Sequence, residues 1–294
     1  SGVYGIAITA ASCLRAGTDV RIAWVVASTG IPDVDPTDAV ALTPGGGRMG
    51  GLAAGALDAH LAALPASDAG ILVPIEFSVT DALIAGVPEG SGATLAVVPG
   101  RSFPEELWPL LLERRPVRLT ATLEDRRITT IELSTPEGSD GERSSIERHD
   151  DRIVTVLHPV PRLAVFGAGP IADALDSGAR WLGWQVARAA DPERGTGLMN
   201  GLARTDSAIV MGHDVEAAGR VLEAALESGA GYVGSIGSVR MQEQRADWLA
   251  YRGVTDLSRV HGPAGLDIGS RTPAEVALSV LAEAVAVHRA AVRS

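Results

Sequence analysis

The stretch LAVFGAGPIADAL, residues 163–175, constrains the fold of this chain more than any other. Its apolar run is typical of a buried strand, and it leads through glycines into a helical pattern. In this G-x-G-x-x-A pattern, Gly167 permits a tight turn, Gly169 lets a ligand approach the backbone, and Ala172 lets the helix pack closely on the strand. The stretch therefore predicts a βα unit that holds a phosphate at the start of its helix.

The sequence after this turn alternates between short apolar runs and helical patterns. Strands are predicted at WQVARAAD, DSAIVMGHD and GYVGSIG, with helices between them and a long helix at the end. That last helix starts at a T-x-x-E capping box, Thr272 to Glu275. Such alternation is typical of parallel βαβ units. We therefore expect an α/β protein whose C-terminal part is a Rossmann-like, doubly wound parallel sheet.

The residues before the glycine turn predict a smaller α/β domain. Helices are expected over residues 3–16 and 51–64, a buried strand over residues 20–28, and a hairpin that turns at Glu124-Asp125. The segment TPEGSDGERSSIERHD is polar and predicts a linker or exposed loop. The expected division is a small domain over residues 1–134, a linker over 135–150 and a Rossmann-like domain over 151–294.

Charge and residue usage exclude several classes of function. A net charge of -11 argues against nucleic acid or an anionic membrane as a partner, and no apolar run predicts a membrane span. The N-terminus shows no signal-peptide pattern, and the single cysteine, Cys13, rules out an intrachain disulfide, so we expect a cytoplasmic protein. All 25 basic residues are arginines, which excludes a Schiff-base or Walker lysine. The histidines are scattered, so neither a metal site nor a catalytic constellation is predicted.

Polar residues follow two of the predicted strands. Asp191 lies 22 residues after Gly169, where an acid typically binds a ribose hydroxyl, although Asp191-Pro192 also fits a simple turn. His213 and Asp214 end the next strand, at the edge where doubly wound sheets bind ligands. The histidine is placed to donate to a phosphate or to act as an acid or base, whereas Asp214 is equally well placed to cap a helix.

Two further glycine-rich loops are candidates for ligand contact. The loop GSIGSVR follows a strand and predicts either an anion site at the next helix or a plain turn. Its candidate residues are Gly234, Ser235, Gly237, Ser238 and Arg240. The loop HGPAGLDIGSR contains Asp267, which either pins the loop by accepting backbone N–H bonds or faces a ligand.

These C-terminal segments, in this order, resemble the XdhC/CoxI family, the accessory proteins of xanthine dehydrogenase and related molybdenum hydroxylases. The resemblance covers roughly residues 160–290 and rests on LAVFGAGPIADAL, GWQVARAADPER, GHDVEAAGRVLEAAL, YVGSIGSVR and GPAGLDIGSRTPAEVALSVLAEAVA. It implies that the protein binds molybdenum cofactor (molybdopterin), helps its sulfuration and passes it to the apo-hydroxylase. It also implies a homodimer, which the apolar C-terminal helix favours unless that helix covers the sheet.

The N-terminal half departs from the family's pattern at its chemically important positions. The family's small domain carries a glycine-serine loop that ends in a cysteine and then a glutamate. The matching loop here is GGLAAGALD, which consists of glycines, alanines and leucines with one acid. Ala56 stands in place of the cysteine, and Asp58 stands in place of the glutamate. The other candidate residues of this loop are Gly50, Gly51 and Gly55. A second typical cysteine falls at Ser91, and Pro170 replaces a histidine. Because thiolates are the soft ligands and sulfur acceptors in proteins, these changes argue against sulfur transfer by this chain.

The sequence leaves three functions open. The first is an accessory protein that binds molybdenum cofactor or a related nucleotide and assists maturation of a molybdenum hydroxylase such as xanthine dehydrogenase. The second is an NAD(P)-dependent oxidoreductase, for which Asp191 favours NAD while Arg188 and Arg194 weaken that preference. The third is a regulatory or scaffold paralogue that binds no small molecule.

Overall fold

The computed structural model describes residues 2–32, 34–137 and 143–293, and the chain divides into two compact units, Ser1–Pro159 and Val160–Ser294. Among the described residues, no helix combines the length and the apolar character that a membrane span requires. The expected fold class is confirmed, because a parallel sheet with helices follows an antiparallel unit. The first unit is the longer of the two, although the sequence predicts a smaller domain there.

The first unit is built on an antiparallel sheet. Its described strands are β1 (Arg21–Thr29), β2 (Val40–Leu42), β3 (Arg48–Gly50), β4 (Gly70–Glu76), β5 (Gly92–Pro99), β6 (Val117–Glu124), β7 (Arg127–Ser134), β8 (Ser145–Arg148) and β9 (Arg152–Leu157). They are ordered β3-β2-β1-β5-β4-β7-β6-β9-β8. The hairpin predicted at Glu124-Asp125 is the β6–β7 turn, where Asp125 has a φ of 57°.

Both faces of this sheet are covered, so the first unit has two hydrophobic cores. The helices are α1 (Val3–Arg15), α2 (Asp58–Leu61), α3 (Val79–Ala85) and α4 (Leu107–Leu112). Successive side chains of a strand point to opposite faces, and Trp24 of β1 packs with α1 and α4 while Val25 packs with α2 and α3. Cys13 lies against the first of these cores, on α1.

The structure moves the boundary between the two parts of the chain. The first unit extends to Pro159, so the division predicted at residues 135–150 lies inside it. Residues 145–148 form β8, and residues 152–157 form β9, which pairs with β6 of the same sheet. The polar composition of this segment reflects an edge hairpin with exposed side chains; residues 138–142 lie outside the described residues.

The helix predicted over residues 51–64 is wrong. The chain forms one 3-10 turn, Ala53–Gly55, and then only the short helix α2. Ala53 and Ala54 have φ values of 48° and 52°, which no right-handed helix contains. Gly50 has a φ of 91°, and a Cβ there would lie 2.2 Å from the carbonyl oxygen of Ala39. Gly50 therefore ends β3 in tight contact with the chain before β2, and the residues that follow turn where the apolar spacing alone is helical.

The second unit is a parallel sheet with helices on both faces. Its strands are β10 (Arg162–Phe166), β11 (Gln185–Ala189), β12 (Ser207–Val210), β13 (Tyr232–Ser235) and β14 (Val260–His261), and its helices are α5 (Pro170–Trp181), α6 (Pro192–Met199), α7 (Val215–Glu227), α8 (Val239–Tyr251) and α9 (Pro273–Arg293). The strand order is β11-β10-β12-β13-β14, and all pairings are parallel. After β10 the chain therefore forms β11 on one side of β10, and it then crosses back to form β12 on the other side of β10.

The long helix α9 covers the sheet. Its residues Ala277, Val280 and Leu281 are buried together with Leu163 and Val165 of β10, and it packs beside α5. The predicted capping box is present: the Thr272 N–H donates to Glu275 at 2.9 Å and the Glu275 N–H donates to the Thr272 hydroxyl at 3.2 Å. Because the apolar face of α9 is used inside the unit, it gives no support to the predicted homodimer.

Candidate functional site

The carboxyl ends of three neighbouring strands meet in register at one edge of the second unit. Phe166 of β10 pairs with Val210 of β12, and Val210 pairs with Ser235 of β13. Neighbouring strands lie about 4.8 Å apart, so the loops that follow them stand side by side. In doubly wound sheets, ligands bind where the connections from adjacent strands run to opposite sides. Here that switch point lies between β10 and β12.

The glycine turn after β10 has the geometry that the sequence predicts. Gly167 has a φ of 128°, and a Cβ on it would lie 2.1 Å from Cγ of Met211. Gly169 has a φ of 101° and ψ of -174°, with nothing within 4 Å of its Cβ position. Ala172 is fully buried between α5 and the sheet. Glycine is thus required at position 167 because a Cβ would clash with Met211. Gly169 supplies a positive φ and leaves open space beside it. Ala172 is small enough for α5 to pack closely on the sheet.

The N-terminus of α5 differs from those of the other described helices in this unit. Gly169 is its N-cap, and no side chain accepts a hydrogen bond from its first turn. In each of the helices α6 to α9, the side chain of the N-cap residue accepts a hydrogen bond from the first turn. These N-cap residues are Asp191, Asp214, Ser238 and Thr272. The first N–H groups of a helix lack intrahelical acceptors and carry a partial positive charge. Pro170 lacks an N–H, so in α5 the N–H groups of Ile171 and Ala172 are the ones free to bind an anion at the switch point.

Asp191 caps α6 in addition to standing beside the glycine turn. Its Oδ1 accepts from the Arg194 N–H at 3.0 Å, and its side chain stays half-exposed. Arg188 is held by Asp173 at 2.8 Å and Asp176 at 3.6 Å. The turn interpretation of Asp191 is thus realised in the structure, and its contact with a ribose stays a prediction. With Arg188 engaged by two carboxylates, the surroundings disfavour a 2′-phosphate.

His213 lies on the exposed loop after β12, beside the glycine turn. Its neighbour Gly212 has a φ of 120° and open space at its Cβ position. Asp214 accepts from the Ala217 N–H at 3.0 Å, so the helix-cap interpretation of Asp214 holds. The histidine is placed to reach a ligand over β12, and its role stays a prediction.

The loop after β13 divides its predicted residues between the interior and the surface. Gly234 gives room to the Tyr232 ring, which would lie 2.8 Å from a Cβ there. Ser235 is fully buried and accepts from Arg245, so neither residue faces a ligand. Gly237 has a φ of 149°. Ser238 caps α8, and Arg240 is exposed on the first turn of that helix.

Two residues that sequence reasoning missed organise this edge. Arg245 is 2% exposed and donates to both the β12 and β13 loops. Glu283 of α9 accepts from the Tyr232 hydroxyl and from the Gly265 N–H at 2.9 Å. Burial and the Glu283 carboxylate raise the pKa of Tyr232 above its usual range. Arg245 carries a sequence signal, because it lies four residues before the buried Leu249 on the same helix face.

Glu283 therefore pins the loop that carries Asp267. Asp267 itself is exposed, and the loop is fastened by Glu283 and by the bond from the Leu266 N–H to the Ser279 carbonyl. The role of Asp267 as the pin is thus filled by another residue. Its other predicted role, contact with a ligand, stays a prediction.

One loop of the first unit matches the position of the family's cysteine. It lies on the face of the sheet that α2 and α3 cover. Ala56 is half-buried there, after the left-handed residues Ala53 and Ala54 and after Gly55, whose φ is 93°. Gly51 has open space at its Cβ position. Cys13 lies against the core on the opposite face of the sheet. Cys13 therefore does not replace the thiol that Ala56 lacks.

Asp58 and Ser91, the two other family positions in this unit, have local partners. Asp58 forms an ion pair with Arg48 at 3.0 Å, on the wall of a cleft of about 590 Å³. Ser91 is buried, and its hydroxyl donates to the Pro88 carbonyl at 2.6 Å. His60, two residues after Asp58, contacts the ring of Phe77 and lies 4.0 Å from the Asp81 carboxylate.

Comparison with known proteins finds similarity in the second unit. Residues 163–284 match the family model of the XdhC Rossmann domain. The uncharacterized protein YqeB of Escherichia coli (strain K12) is 31% identical over 149 residues, which cover 43% of this chain and 27% of YqeB. A solved structure described as a xanthine dehydrogenase from Bacillus halodurans aligns with a TM-score of 0.48 at 18% identity, over 99% of this chain and 96% of that chain. This chain thus spans about a quarter of its curated relative, and the predicted family resemblance is confirmed for the second unit.

Proposed function

We propose that this chain, whose residues 163–284 are an XdhC Rossmann domain, is an accessory protein that binds molybdenum cofactor or a related nucleotide and assists the maturation of a molybdenum hydroxylase. The observation that carries the proposal is the uncapped N-terminus of α5 at the switch point. An anion there gains hydrogen bonds from free N–H groups and the favourable end of the helix dipole. The open space at Gly169 leaves room for that anion.

The residues present fit the phosphate of the cofactor better than its sulfur chemistry. The first turn of α5 would hold the phosphate, with Gly169 allowing close approach and His213 placed to donate to it. When bound, the cofactor supplies the metal and its redox chemistry. Neither Ala56 nor Ser91 offers a thiolate, and Cys13 lies on the other face of the sheet. We therefore limit the proposed function to binding and delivery, without sulfur transfer.

The partner follows from the same reasoning. A protein that binds and delivers a molybdenum cofactor needs an apo-enzyme as recipient, and a xanthine dehydrogenase-like hydroxylase fits the family. We propose the cytoplasm for this exchange, because a chain with a single cysteine and no intrachain disulfide fits a reducing compartment.

An NAD-dependent oxidoreductase is the second candidate. The observation in its favour is the half-exposed Asp191 at the end of the strand beside the glycine turn. Against it, one carboxylate oxygen of Asp191 is used to cap α6. A paralogue without a ligand is the third candidate, and the same experiment separates all three.

The experiment is native mass spectrometry of the chain purified from a host that makes molybdenum cofactor. The wild type is compared with Gly169→Ala, which adds a methyl group in the open space beside the start of α5. The matched control is Gly183→Ala, which also has a positive φ (80°) and open space but lies at the other end of α5. We expect a pterin-mass adduct on the wild type and on the control, and loss of that adduct in Gly169→Ala.

The remaining outcomes decide between the candidates. A dinucleotide adduct that disappears in Gly169→Ala supports the oxidoreductase. A bare polypeptide mass that persists after both molybdenum cofactor and NAD are added contradicts both binding functions and leaves the non-binding paralogue. An adduct that survives in Gly169→Ala means that the ligand binds away from the start of α5.

A further inference from the structure

Helix α3 of the first unit presents large apolar side chains to solvent, and the proposed function does not yet use them. Val79, Leu83 and Ile84 are 66%, 82% and 80% exposed, whereas Ala82 of the same helix is buried. A surface helix normally turns its large apolar residues toward the core. Clustered exposure of such residues is typical of a site where another molecule binds.

The conformation of α3 is fixed at its two ends rather than by the core. At its start, the Asp81 N–H donates to the Ser78 hydroxyl at 3.1 Å, and the Ser78 N–H donates to the Asp81 carboxylate at 3.3 Å. At its end, Gly86 has a φ of 69°, and the Val87 N–H donates to the Ala82 carbonyl at 3.0 Å. Because a helix this short is marginal in water, these caps are what hold it. The exposed apolar side chains therefore stand in a preformed arrangement, which lowers the entropic cost of docking.

Helix α3 lies in a long connection between two neighbouring strands. Strands β4 and β5 are antiparallel partners, and residues 77–91 join them, although a hairpin loop of about two to five residues would suffice. The ends of the connection are held together by the pairing of Glu76 with Gly92 and by the bond from the Phe77 N–H to the Ser91 carbonyl at 3.1 Å. The connection is thus a compact excursion from the sheet, and surface segments of this kind frequently carry function.

The formal charges of this part of the chain have one sign. Residues 49–100 supply α2, α3 and the loops beside them, and they contain five acidic residues and no arginine, in a chain with 25 arginines. Three of the acids belong to the α3 excursion: Glu76 at its base, Asp81 on the helix and Glu89 after it. His60 of α2 lies 4.0 Å from Asp81 and is charged only if protonated. An apolar helix with an acidic border is complementary to an apolar groove with a basic border.

The same charges disfavour two other occupants of this surface. In a symmetric contact between two copies of the chain, the patch would face itself, so Asp81 and the two glutamates would meet acids of the other copy. Like charges brought together at an interface repel each other. An anionic membrane surface would repel the acids for the same reason. A protein with a basic border is therefore the occupant that the charges favour.

We infer that α3 is a docking helix for the recipient molybdenum hydroxylase, whose matching surface is an apolar groove bordered by arginine or lysine. Val79, Leu83 and Ile84 enter the groove as a helix in a groove does, and Glu76 and Glu89 contact its basic border. This inference rests on the proposed function, because it names the surface through which the recipient is held. The surface belongs to the first unit and the anion site to the second, so each can be altered without changing a residue of the other.

The test is the affinity of the full chain for the purified, cofactor-free hydroxylase of the same organism, measured by biolayer interferometry. The double variant Leu83→Gln/Ile84→Gln makes both side chains polar and should weaken binding at least tenfold. Both positions are exposed, so we expect an unchanged circular dichroism spectrum. The matched control Leu278→Gln alters a leucine of α9 that is 61% exposed, and it should bind like the wild type. Wild-type affinity in the double variant would overturn the inference.

A second double variant tests the basic border of the groove. Glu76→Gln/Glu89→Gln should slow association and make the affinity less dependent on salt, because charges at the rim of an interface steer the encounter. The matched control Glu243→Gln removes an exposed acid from α8 and should change neither quantity. An association rate and a salt dependence that stay at their wild-type values in Glu76→Gln/Glu89→Gln would refute the inference.

Sedimentation of the chain alone tests the second copy as occupant. We expect no self-association that depends on α3. Self-association of the wild type that Leu83→Gln/Ile84→Gln abolishes would assign this surface to a second copy and overturn the inference.

This inference and the proposed cofactor binding fail separately. A cofactor adduct by mass spectrometry, without hydroxylase binding that depends on Leu83 and Ile84, upholds cofactor binding and refutes the inference. Hydroxylase binding that depends on these residues, without a cofactor adduct, upholds the docking surface and refutes the proposed ligand. The absence of both refutes both.

Discussion

Replacing Gly167 by alanine should destabilise the second unit more than the same change at Gly169. Both positions have a φ that L-residues rarely adopt, which costs about 1–3 kcal/mol. Only Gly167 adds a steric clash, since its Cβ would lie 2.1 Å from Cγ of Met211. Overpacking of this kind costs a further 1–3 kcal/mol or so. We therefore expect a loss of about 4 kcal/mol in Gly167→Ala and about 2 kcal/mol in Gly169→Ala.

Hydrogen exchange measures this difference locally. A chain of two compact units need not unfold in a single two-state transition, so we would follow peptides that cover β10 and β12. A difference of about 2 kcal/mol corresponds to roughly 30-fold faster opening in Gly167→Ala than in Gly169→Ala. Met211 is buried, and the clash is with Cγ near the root of its side chain, so a rotation of the thioether end does not relieve it.

A double-mutant cycle tests the stated cause. In a Met211→Ala background the clash is gone, so adding Gly167→Ala should cost only the backbone strain, about 2 kcal/mol. Equal opening rates for Gly167→Ala and Gly169→Ala, or the same cost of Gly167→Ala in both backgrounds, would show that the clash does not set the penalty.

Three further predictions concern single side chains. Asp191→Ala should cost about 1 kcal/mol because it removes the α6 cap, whereas Asp191→Asn should keep that stability; exchange in α6 measures both, and equal losses would contradict the cap. Burial lowers the pKa of His288 below its usual value of 6.5, so the unfolded chain binds the proton more tightly than the folded chain. The free energy of unfolding should therefore fall as the pH drops below 6.5, by at most about 1.4 kcal/mol per pH unit. His288→Gln should flatten that dependence in denaturation curves from pH 7 to 5, and an unchanged slope would refute it. Ala56→Cys should fold like the wild type, because Ala56 has a φ of -58° and is not fully buried, and its thiol should react with a disulfide reagent in the native state; a protected thiol would contradict this placement.

Local signals in the sequence predicted the second unit well. The capping box at Thr272, the glycines at positive φ and the apolar runs act within a few residues, so the elements lie close to where the patterns place them. Helix α3 carried the same kind of signal, a box between Ser78 and Asp81, and was missed because its apolar residues are largely exposed.

What the sequence could not predict depends on contacts between distant segments. The left-handed turn at Ala53 and Ala54 follows β3, and the apolar spacing of residues 51–64 gives no sign of it. The edge hairpin of β8 and β9 joins the first unit through pairing with β6, which no local pattern encodes. The spacing of Arg245 from Leu249 indicates a buried helix face, but the sequence does not show that the β12 and β13 loops accept its hydrogen bonds. Contacts between distant segments thus set the domain boundary and the surroundings of the buried charge.

The two units bear on different parts of the proposed function. The second unit bears on the binding of a cofactor, and the first unit bears on its sulfur chemistry. In the second unit, the uncapped start of α5 and the open space at Gly169 offer an anion site that needs no thiol. In the first unit, Ala56 offers no thiol at the position where the family resemblance implies one. If Gly169→Ala abolishes binding and Ala56→Cys changes only thiol reactivity, this chain binds the cofactor without modifying it. If the wild type binds nothing, the uncapped start of α5 is a feature of the fold alone, and the non-binding paralogue is the correct description.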